Sequence, residues 1–347
     1  MRIVDFRSDL LTRPTAEMMN AIQAACARPW SFDLREDPDQ QALEREIAEI
    51  LGHEDALLMP TATMANEIAL MLHARPGDAV VAPADAHIAT SEAGAPAALA
   101  GVSLRLLNEH LPEPGAWEDA VRGDSDALRS RIAVLVLENT HNRAGGAAIS
   151  ADISDAIIGI ARRKGIATHL DGARLFNAAI AVGVTPARLA RDFDTVCISL
   201  NKGLGAPIGA ALAGSRRLVA QALVIRQRLG GGIRPTALLA AAARAAFASW
   251  HDLADDHARA ARLTQALDQL PGFIPMRPTQ PTNIVIAQVA KPVSEVVAAL
   301  AARDVLVLPF GPGRIRFVVY RGITDADVAQ AVAACAEIAA GGDGATP

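Results

Sequence analysis

Short apolar runs of strand length alternate along this chain with amphipathic stretches of helix length. Asp55–Pro60 (DALLMP) reads as a buried strand, and Thr63–Ala74 (TMANEIALMLHA) as the helix after it. Ala79–Pro83 (AVVAP) is a strand, Ser91–Ala100 a short helix, and VSLRLL from Val102 a strand again. Arg131–Asn139 (RIAVLVLEN) is the clearest buried strand. It is followed by a helix over Ala151–Lys164, whose basic last turn before Gly165 suits the helix dipole. Ile166–Arg174 runs from strand through turn into helix, TVCISL from Thr195 leads to Lys202, and Gly209–Gly214 (GAALAG) is strand-like. This alternation predicts an α/β fold with a mostly parallel sheet and helices on both faces.

The pattern changes after about Trp250. A polar helix is expected over Asp252–Leu270, ending at Pro271-Gly272. After it come a strand at Asn283–Ala287, a helix at Ser294–Arg303, strands at Val305–Leu308 and Ile315–Val319, and a last helix at Asp325–Ala340. The chain therefore divides into a large domain, residues 1–249 with an N-terminal arm, and a smaller α/β domain, residues 250–347. The tail GGDGATP is expected to lack structure.

A chain of 347 residues suits that division and buries a sizeable core. The net charge of -5, with no basic stripe, argues against a nucleic-acid partner. Cys26, Cys197 and Cys335 are scattered and lack metal or disulfide spacing, which points to a reducing cytoplasm and to no bound metal. The N-terminal MRIVDFRSDLLTRPT is charged where a signal peptide would be apolar. The alanine-rich run Ala237–Ala246 carries Arg244 and is too short to span a bilayer. A soluble protein acting on a small molecule, with no membrane partner, is the expectation.

The chain holds three lysines, Lys164, Lys202 and Lys291, among its 33 basic residues. Lys202 lies in SLNKGLGAPIG, between an apolar run and a glycine-rich turn. Arginine replaces lysine as a charge but not as a Schiff-base amine, so Lys202 is the candidate for covalent catalysis. Lys164 and Lys291 have ordinary places in a helix end and a loop.

Ligands of open α/β sheets sit where strands end in loops. Four polar clusters fall at such ends: Thr61-Ala62-Thr63, Asn139-Thr140-His141-Asn142, Asp171-Gly172-Ala173-Arg174 and Asn201-Lys202. A lysine, a carboxylate, histidines and a helix N-terminus together describe a pyridoxal phosphate site. The carboxylate would hold the pyridine nitrogen protonated, and the unpaired amides opening the helix at Thr63 would hold the phosphate. Taken singly, His87 and His141 are ordinary core or loop histidines, Ser8 is a turn residue, and Arg174 has Asp171 within reach as a structural partner.

In their joint order, the runs FRSDLLTRPT (from Phe6), PTATMAN (Pro60), DAHI (Asp85), SEAG (Ser91), LENTHNRAGG (Leu137), HLDGARLFNAA (His169), NKGLGAP (Asn201), LGGGIRP (Leu229) and RFVV (Arg316) resemble the low-specificity threonine aldolases of the β-eliminating lyase superfamily. The resemblance covers nearly the whole chain. It implies the aspartate aminotransferase-like, fold type I architecture of pyridoxal phosphate enzymes.

It also implies roles. Lys202 would carry the cofactor, Asp171 face its ring nitrogen and His87 stack on the ring, with His141 near the substrate hydroxyl. Ala62, Thr63 and Arg234 would hold the phosphate, Arg234 from a neighbouring subunit, with Asn201 and Arg174 also lining the cofactor. Ser8, Arg174 and Arg316 would bind the substrate carboxylate, an arginine fork being suited to it. The implied reaction is retro-aldol cleavage of a β-hydroxy-α-amino acid to glycine and an aldehyde, in a homo-oligomer built as a dimer of dimers. Either histidine, or a water, would be the base.

The sequence departs from the family pattern at several points. Ala62 stands where glycine is usual, Leu34-Arg35 where Tyr-Gly is usual, Ser91 where tyrosine is frequent, and Leu10-Leu11 replaces Thr-Val. Asn201 precedes the lysine in place of serine, and Val319-Tyr320 replaces Thr-His. Loss of two tyrosines predicts a roomier pocket for a bulkier β-substituent, such as an aryl group. Arg35 would sit on the surface as a structural residue, or pair with an anionic substituent. β-Elimination, transaldol or racemase chemistry on the same scaffold, or a catalytically weakened cofactor-binding protein, are the neighbouring readings. A dinucleotide fold is rejected, because Pro207 and the glycine spacing of GLGAPIG do not fit its fingerprint.

Overall fold

Thirteen strands and the helices between them were located in a computed structural model, which describes residues 2–108, 110–111, 113–122 and 128–341. In chain order the strands are β1 (Val4–Asp5), β2 (Asp55–Met59), β3 (Ala79–Pro83), β4 (Ser103–Leu107), β5 (Ile132–Glu138), β6 (Ala167–Gly172) and β7 (Thr195–Ser199). Then come β8 (Ala210–Gly214), β9 (Phe273–Pro275), β10 (Ile284–Val289), β11 (Val305–Leu306), β12 (Leu308–Pro309) and β13 (Arg314–Val318).

Seven of them form the central sheet in the order β2-β8-β7-β6-β5-β3-β4. The pairings from β4 across to β7 are all parallel, and β8 alone runs against its neighbours β7 and β2. A mostly parallel sheet needs apolar side chains on both faces, and β5 is buried along its whole length. On one face Leu135 and Leu137 pack with Trp117, Ile157 and Ile158. On the other, Val134 and Val136 join Val80, Ala82 and Leu70.

The C-terminal part folds around a second sheet, β12-β13-β10-β9, whose pairings are antiparallel. The N-terminal segment is tied to this part, because β1 pairs in parallel with β11 and Phe6 meets Phe317 edge-on at 5.7 Å. Among the described residues no helix is long and apolar enough to cross a membrane.

Most expected elements are present within a residue or three, including the polar helix, at Leu253–Leu267. The helix expected at Thr63 starts at Ala62, because the Thr61 hydroxyl caps it by accepting from the Met64 amide. The helix expected over Ser91–Ala100 is not one helix. A short helix His87–Thr90 precedes it, and a single wide turn occupies Pro96–Ala100. Between them, Ala93 and Gly94 take left-handed backbone that no helix continues through. The strand expected over Val305–Leu308 is two, since β11 pairs with β1 and β12 with β13. Helices Ala16–Cys26, Pro38–Leu51, Arg216–Arg228 and Ala237–Phe247 had no counterpart in the pattern reading. Of the tail, residues 342–347 lie outside the described residues.

Candidate active site

The C-terminal ends of β5, β6 and β7 bring three of the four polar clusters together, and the start of helix Ala62–His73 supplies the fourth. Asp171 is the penultimate residue of β6, Asn139 to Asn142 follow β5, and Asn201-Lys202 follow β7. Two glycines permit these close approaches. A Cβ on Gly172 would lie 2.7 Å from the Cys197 carbonyl oxygen on β7. Gly205, with φ +79°, lets the turn after Lys202 pack on Thr12.

Lys202 is partly buried, and its amine has no hydrogen-bond or ion-pair partner among the described residues. Burial first, and then the nearby Arg174 guanidinium, pull its pKa below the usual lysine range, against the opposing charges of Asp9 and Asp171. An amine so placed is a better nucleophile at neutral pH than a solvated lysine. Burial raises the Asp171 pKa, but the His87 and Lys202 charges outweigh it and hold the carboxyl below its ordinary value.

Asp171 is gripped from within the protein. Its Oδ1 accepts from the Ala173 amide at 3.1 Å and its Oδ2 from the Asn66 side-chain amide at 2.9 Å. The same Asn66 nitrogen donates to Glu92 Oε1 at 2.9 Å. Glu92 Oε1 also takes His87 Nδ1 at 2.7 Å. Burial lowers the His87 pKa, but the Glu92 hydrogen bond and the Asp171 charge reverse this, so the imidazole is more basic than usual. The ligand-type atoms of His87, Glu92 and Asp171 lie within 4.8 Å of one another, and they are linked by these hydrogen bonds.

Behind Asn66, His169 Nε2 donates to the Asn66 oxygen at 3.1 Å, and its Nδ1 accepts from the Thr195 hydroxyl at 3.0 Å. His73 Nε2 donates to that hydroxyl at 3.1 Å. This direction of donation is the one that satisfies every group in the row. Complete burial brings the His169 pKa down to about 4, which keeps its ring neutral and the row fixed at working pH.

His141 is fully buried, and neither ring nitrogen has a hydrogen-bond partner among the described residues. The nearest acid is Asp85, whose Oδ1 is 3.5 Å from His141 Nε2. Arg316 donates to Asn142 Oδ1 at 2.9 Å and to the Arg7 carbonyl at 3.0 Å, while its Nε has no partner. Burial and the neighbouring Arg174 bring its pKa down to about 10. Its guanidinium lies 4.4 Å from the Phe310 ring centroid.

Arg174 is held by Asp9 through two bonds, at 2.6 and 2.7 Å, rather than by Asp171. The turn Asp9–Leu11 buries that carboxylate beside it, and Ser8 caps the turn by accepting from Leu10. Asn201 accepts from the Ser199 hydroxyl at 2.9 Å. Arg234 is exposed; it donates to the Phe32 carbonyl at 3.2 Å and lies over the Phe32 ring, and no hydrogen bond takes it to the start of helix Ala62–His73. Arg35 is not a surface residue free to meet an anionic substituent. It is bound to Glu44 at 2.8 Å, to Asp55 at 2.9 Å and to the Ala56 carbonyl.

Asp9, Asn66, Glu92 and His169 were not singled out from the sequence, although each lies inside a quoted run. A signal existed for Asn66, since Asn-Glu interrupts an otherwise apolar helix at TMANEIALML. For the others no local signal distinguishes them from solvated residues.

These residues fit pyridoxal phosphate. The nucleophilic amine, the buried carboxylate beside it, the free first-turn amides of Ala62 and Thr63, and the unpartnered nitrogens of His141 and Arg316 are the donor and acceptor set that cofactor and an amino acid would satisfy. The chain matches the family described as beta-eliminating lyase over residues 5–290. It is 36% identical over 350 residues to a probable low-specificity L-threonine aldolase 2 of Arabidopsis thaliana, covering 97% of each chain. To the low specificity L-threonine aldolase of Escherichia coli K12 it is 34% identical over 319 residues, covering 88% of this chain and 90% of the other. The solved threonine aldolase of Leishmania major superposes with a TM-score of 0.85 at 20% identity, over 96% of this chain and 99% of that one. The fold is that of the pyridoxal phosphate enzymes of type I, and the chain belongs to the beta-eliminating lyase family, grouping there with the low-specificity threonine aldolases.

Proposed function

We propose that this chain is a pyridoxal phosphate-dependent carbon–carbon lyase that cleaves β-hydroxy-α-amino acids to glycine and an aldehyde. The observation that carries this reading is the placement of Lys202, just past the end of β7, beside Asp171 near the end of the adjacent β6, the amine made less basic and the carboxylate kept charged. When bound, the cofactor supplies the electron sink for the pair released from the broken Cα–Cβ bond.

The protein does the rest. Lys202 would hold the cofactor through its amine, Asp171 would favour a positive charge on the ring nitrogen, and His87, oriented by Glu92, would contact the ring. The amides of Ala62 and Thr63 would hold the phosphate, beside Asn201. Arg316, with its free Nε, and Ser8 orient the substrate carboxylate, and Arg174, pinned by Asp9, lends charge to the same place. His141 takes the proton of the β-hydroxyl. It is the better base of the two histidines because its nitrogens are uncommitted, whereas His87 Nδ1 is bonded to Glu92.

A bulky β-substituent, aryl rather than methyl, is the preferred one in this reading. What supports it in the fold is a cavity of about 430 Å3 beside His141, walled by Trp117, Leu137, Ile149 and Ile153, which neither Ser91 nor Leu34 lines. Arg234 completes the phosphate site of a neighbouring subunit in a dimer of dimers, since it projects beside Phe32, which is 85% exposed. The two-domain division at residue 250 and a cytoplasmic location belong to the same proposal.

Borohydride trapping followed by peptide mapping should label the segment containing Lys202. Incubation with glycine and an aldehyde should then yield a β-hydroxy amino acid. Labelling without condensation would favour an elimination lyase or racemase, and no labelling would refute the reading. Clear preference for threonine over phenylserine in steady-state kinetics would reject the aryl preference alone.

A further inference from the structure

Helix Ala62–His73 turns two adjacent polar side chains into the protein, Asn66 at 0% and Glu67 at 1% exposure. Asn66 bridges Asp171 and Glu92, as described above. Glu67 reaches the same Glu92 from beside it, carboxyl to carboxyl. Among the described residues, neither oxygen of Glu67 meets a donor, and neither does Oε2 of Glu92, whose Oε1 is taken by Asn66 and His87. Two buried carboxyl groups in contact, with no donor aimed at their facing oxygens, are not both charged at neutral pH; one proton between them joins the two.

We propose that Glu67 is held as the neutral acid and donates its proton to the free oxygen of Glu92, a positioning residue that keeps the other Glu92 oxygen charged toward His87 and Asn66. Its effect on turnover rests on the reading of His87 as the residue that lies on the cofactor ring. Burial first, and Glu92 second, push the Glu67 pKa up to about 8. The pair therefore carries one negative charge at neutral pH and two at alkaline pH, and the second charge strengthens the pull of Glu92 on the His87 proton.

Among the described residues, the surroundings offer no other donor to the facing oxygens. The helix packs on β2, β5 to β8, the helix Arg216–Arg228 and the turn Pro96–Ala100. From β6 come His169 and Asp171, both committed to Asn66, and from β7 comes Cys197, whose thiol is kept protonated by burial. Glu138 on β5 accepts from the His87 and Asn142 amides. Asp55 on β2 is held by Arg35, β8 carries no titratable side chain, and the turn Pro96–Ala100 has none either. Of the arginines on Arg216–Arg228, Arg226 is turned to the Leu58 and Leu34 carbonyls, and Arg217 acts on His73.

Infrared difference spectra of the holoenzyme, taken from about pH 6 to about pH 9.5, read the proton directly. A protonated-carboxyl band should vanish on raising the pH and should be absent from Glu67→Gln, whose amide donates to Glu92 without titrating. Glu67→Gln should retain most of the turnover and lose the alkaline step of the wild-type pH profile. Glu67→Leu, which leaves Glu92 Oε2 without a donor, should lower kcat/KM by about tenfold or more. The proposal is overturned if the wild type shows no such band, if the band survives in Glu67→Gln, or if both variants keep the wild-type pH profile. The band is read without substrate, so its absence speaks against the shared proton and a failed glycine–aldehyde assay speaks against the aldolase reading.

Discussion

Replacing Asn66 by aspartate tests the centre of the site with one changed atom. The Asn66 nitrogen lies 2.9 Å from oxygens of both Asp171 and Glu92. A carboxylate there would face two others, each costing about 6 kcal/mol at an effective dielectric of about 20. At about 1.4 kcal/mol per pH unit, either repulsion alone raises the titration by about four units, so the cluster takes up one proton on folding. The new carboxyl then offers one O–H where the amide offered two N–H bonds, a loss of about 1.5–3 kcal/mol for one charge-assisted bond.

The proton adds a pH dependence. The unfolded aspartate has an ordinary pKa near 4, while the folded value is raised. The variant is therefore penalised least below about pH 4 and loses a further ~1.4 kcal/mol per pH unit as the pH rises toward the folded value. Near neutrality the two effects together approach about 6 kcal/mol. Urea unfolding of wild type and Asn66→Asp side by side, at several pH values from about 5 to 8, measures the difference. A difference that stays flat with pH would refute the hydrogen-bonding pattern assigned to Asn66.

Asp171→Asn should retain bound cofactor, seen in its absorption, and lose turnover by about a thousandfold, the equivalent of about 4 kcal/mol for the lost charge; full activity would sink its assignment. Phe310→Ala removes the ring under the Arg316 guanidinium and should raise KM for the amino acid about three- to thirtyfold, with a smaller change in kcat. An unchanged KM would separate Arg316 from substrate binding. Asp256 is buried, and desolvation brings its pKa up to about 7 despite Arg259. An acid raised in this way loses stability as the pH climbs from its unfolded value through about 7. Asp256→Asn should therefore gain about 1–3 kcal/mol over wild type at pH 8 and little near pH 4, in thermal unfolding.

The parts of the site legible in the sequence are those whose chemistry and position coincide locally. Lys202 and Asp171 each follow an apolar run, and strand direction alone brings the ends of β6 and β7 side by side. The same local pattern places the helix start at Thr63, one residue past its start at Ala62, where the Thr61 cap sets it. What holds these groups in their working state comes from far along the chain: Asp9 grips Arg174 across 165 positions and Asn66 grips Asp171 across 105. No periodicity encodes such pairings. No motif marks the helices at Ala16–Cys26 and Ala237–Phe247, which pack Ala21 and Ala25 against Ala237 and Ala241.

The same division separates what the two kinds of residue do. The groups read from motifs would touch cofactor and substrate, whereas those found only in the fold set their charge. His87 is made basic by Glu92, and His169 is made neutral by burial so that it can orient Asn66. Asp171 stays ionised because charges converge on it from several elements. A related chain with the same motifs but an apolar residue at position 66 or 92 would keep the outline of the site and lose the protonation states it depends on. Sorting relatives by those two positions is therefore a sharper guide to activity than the lysine motif alone.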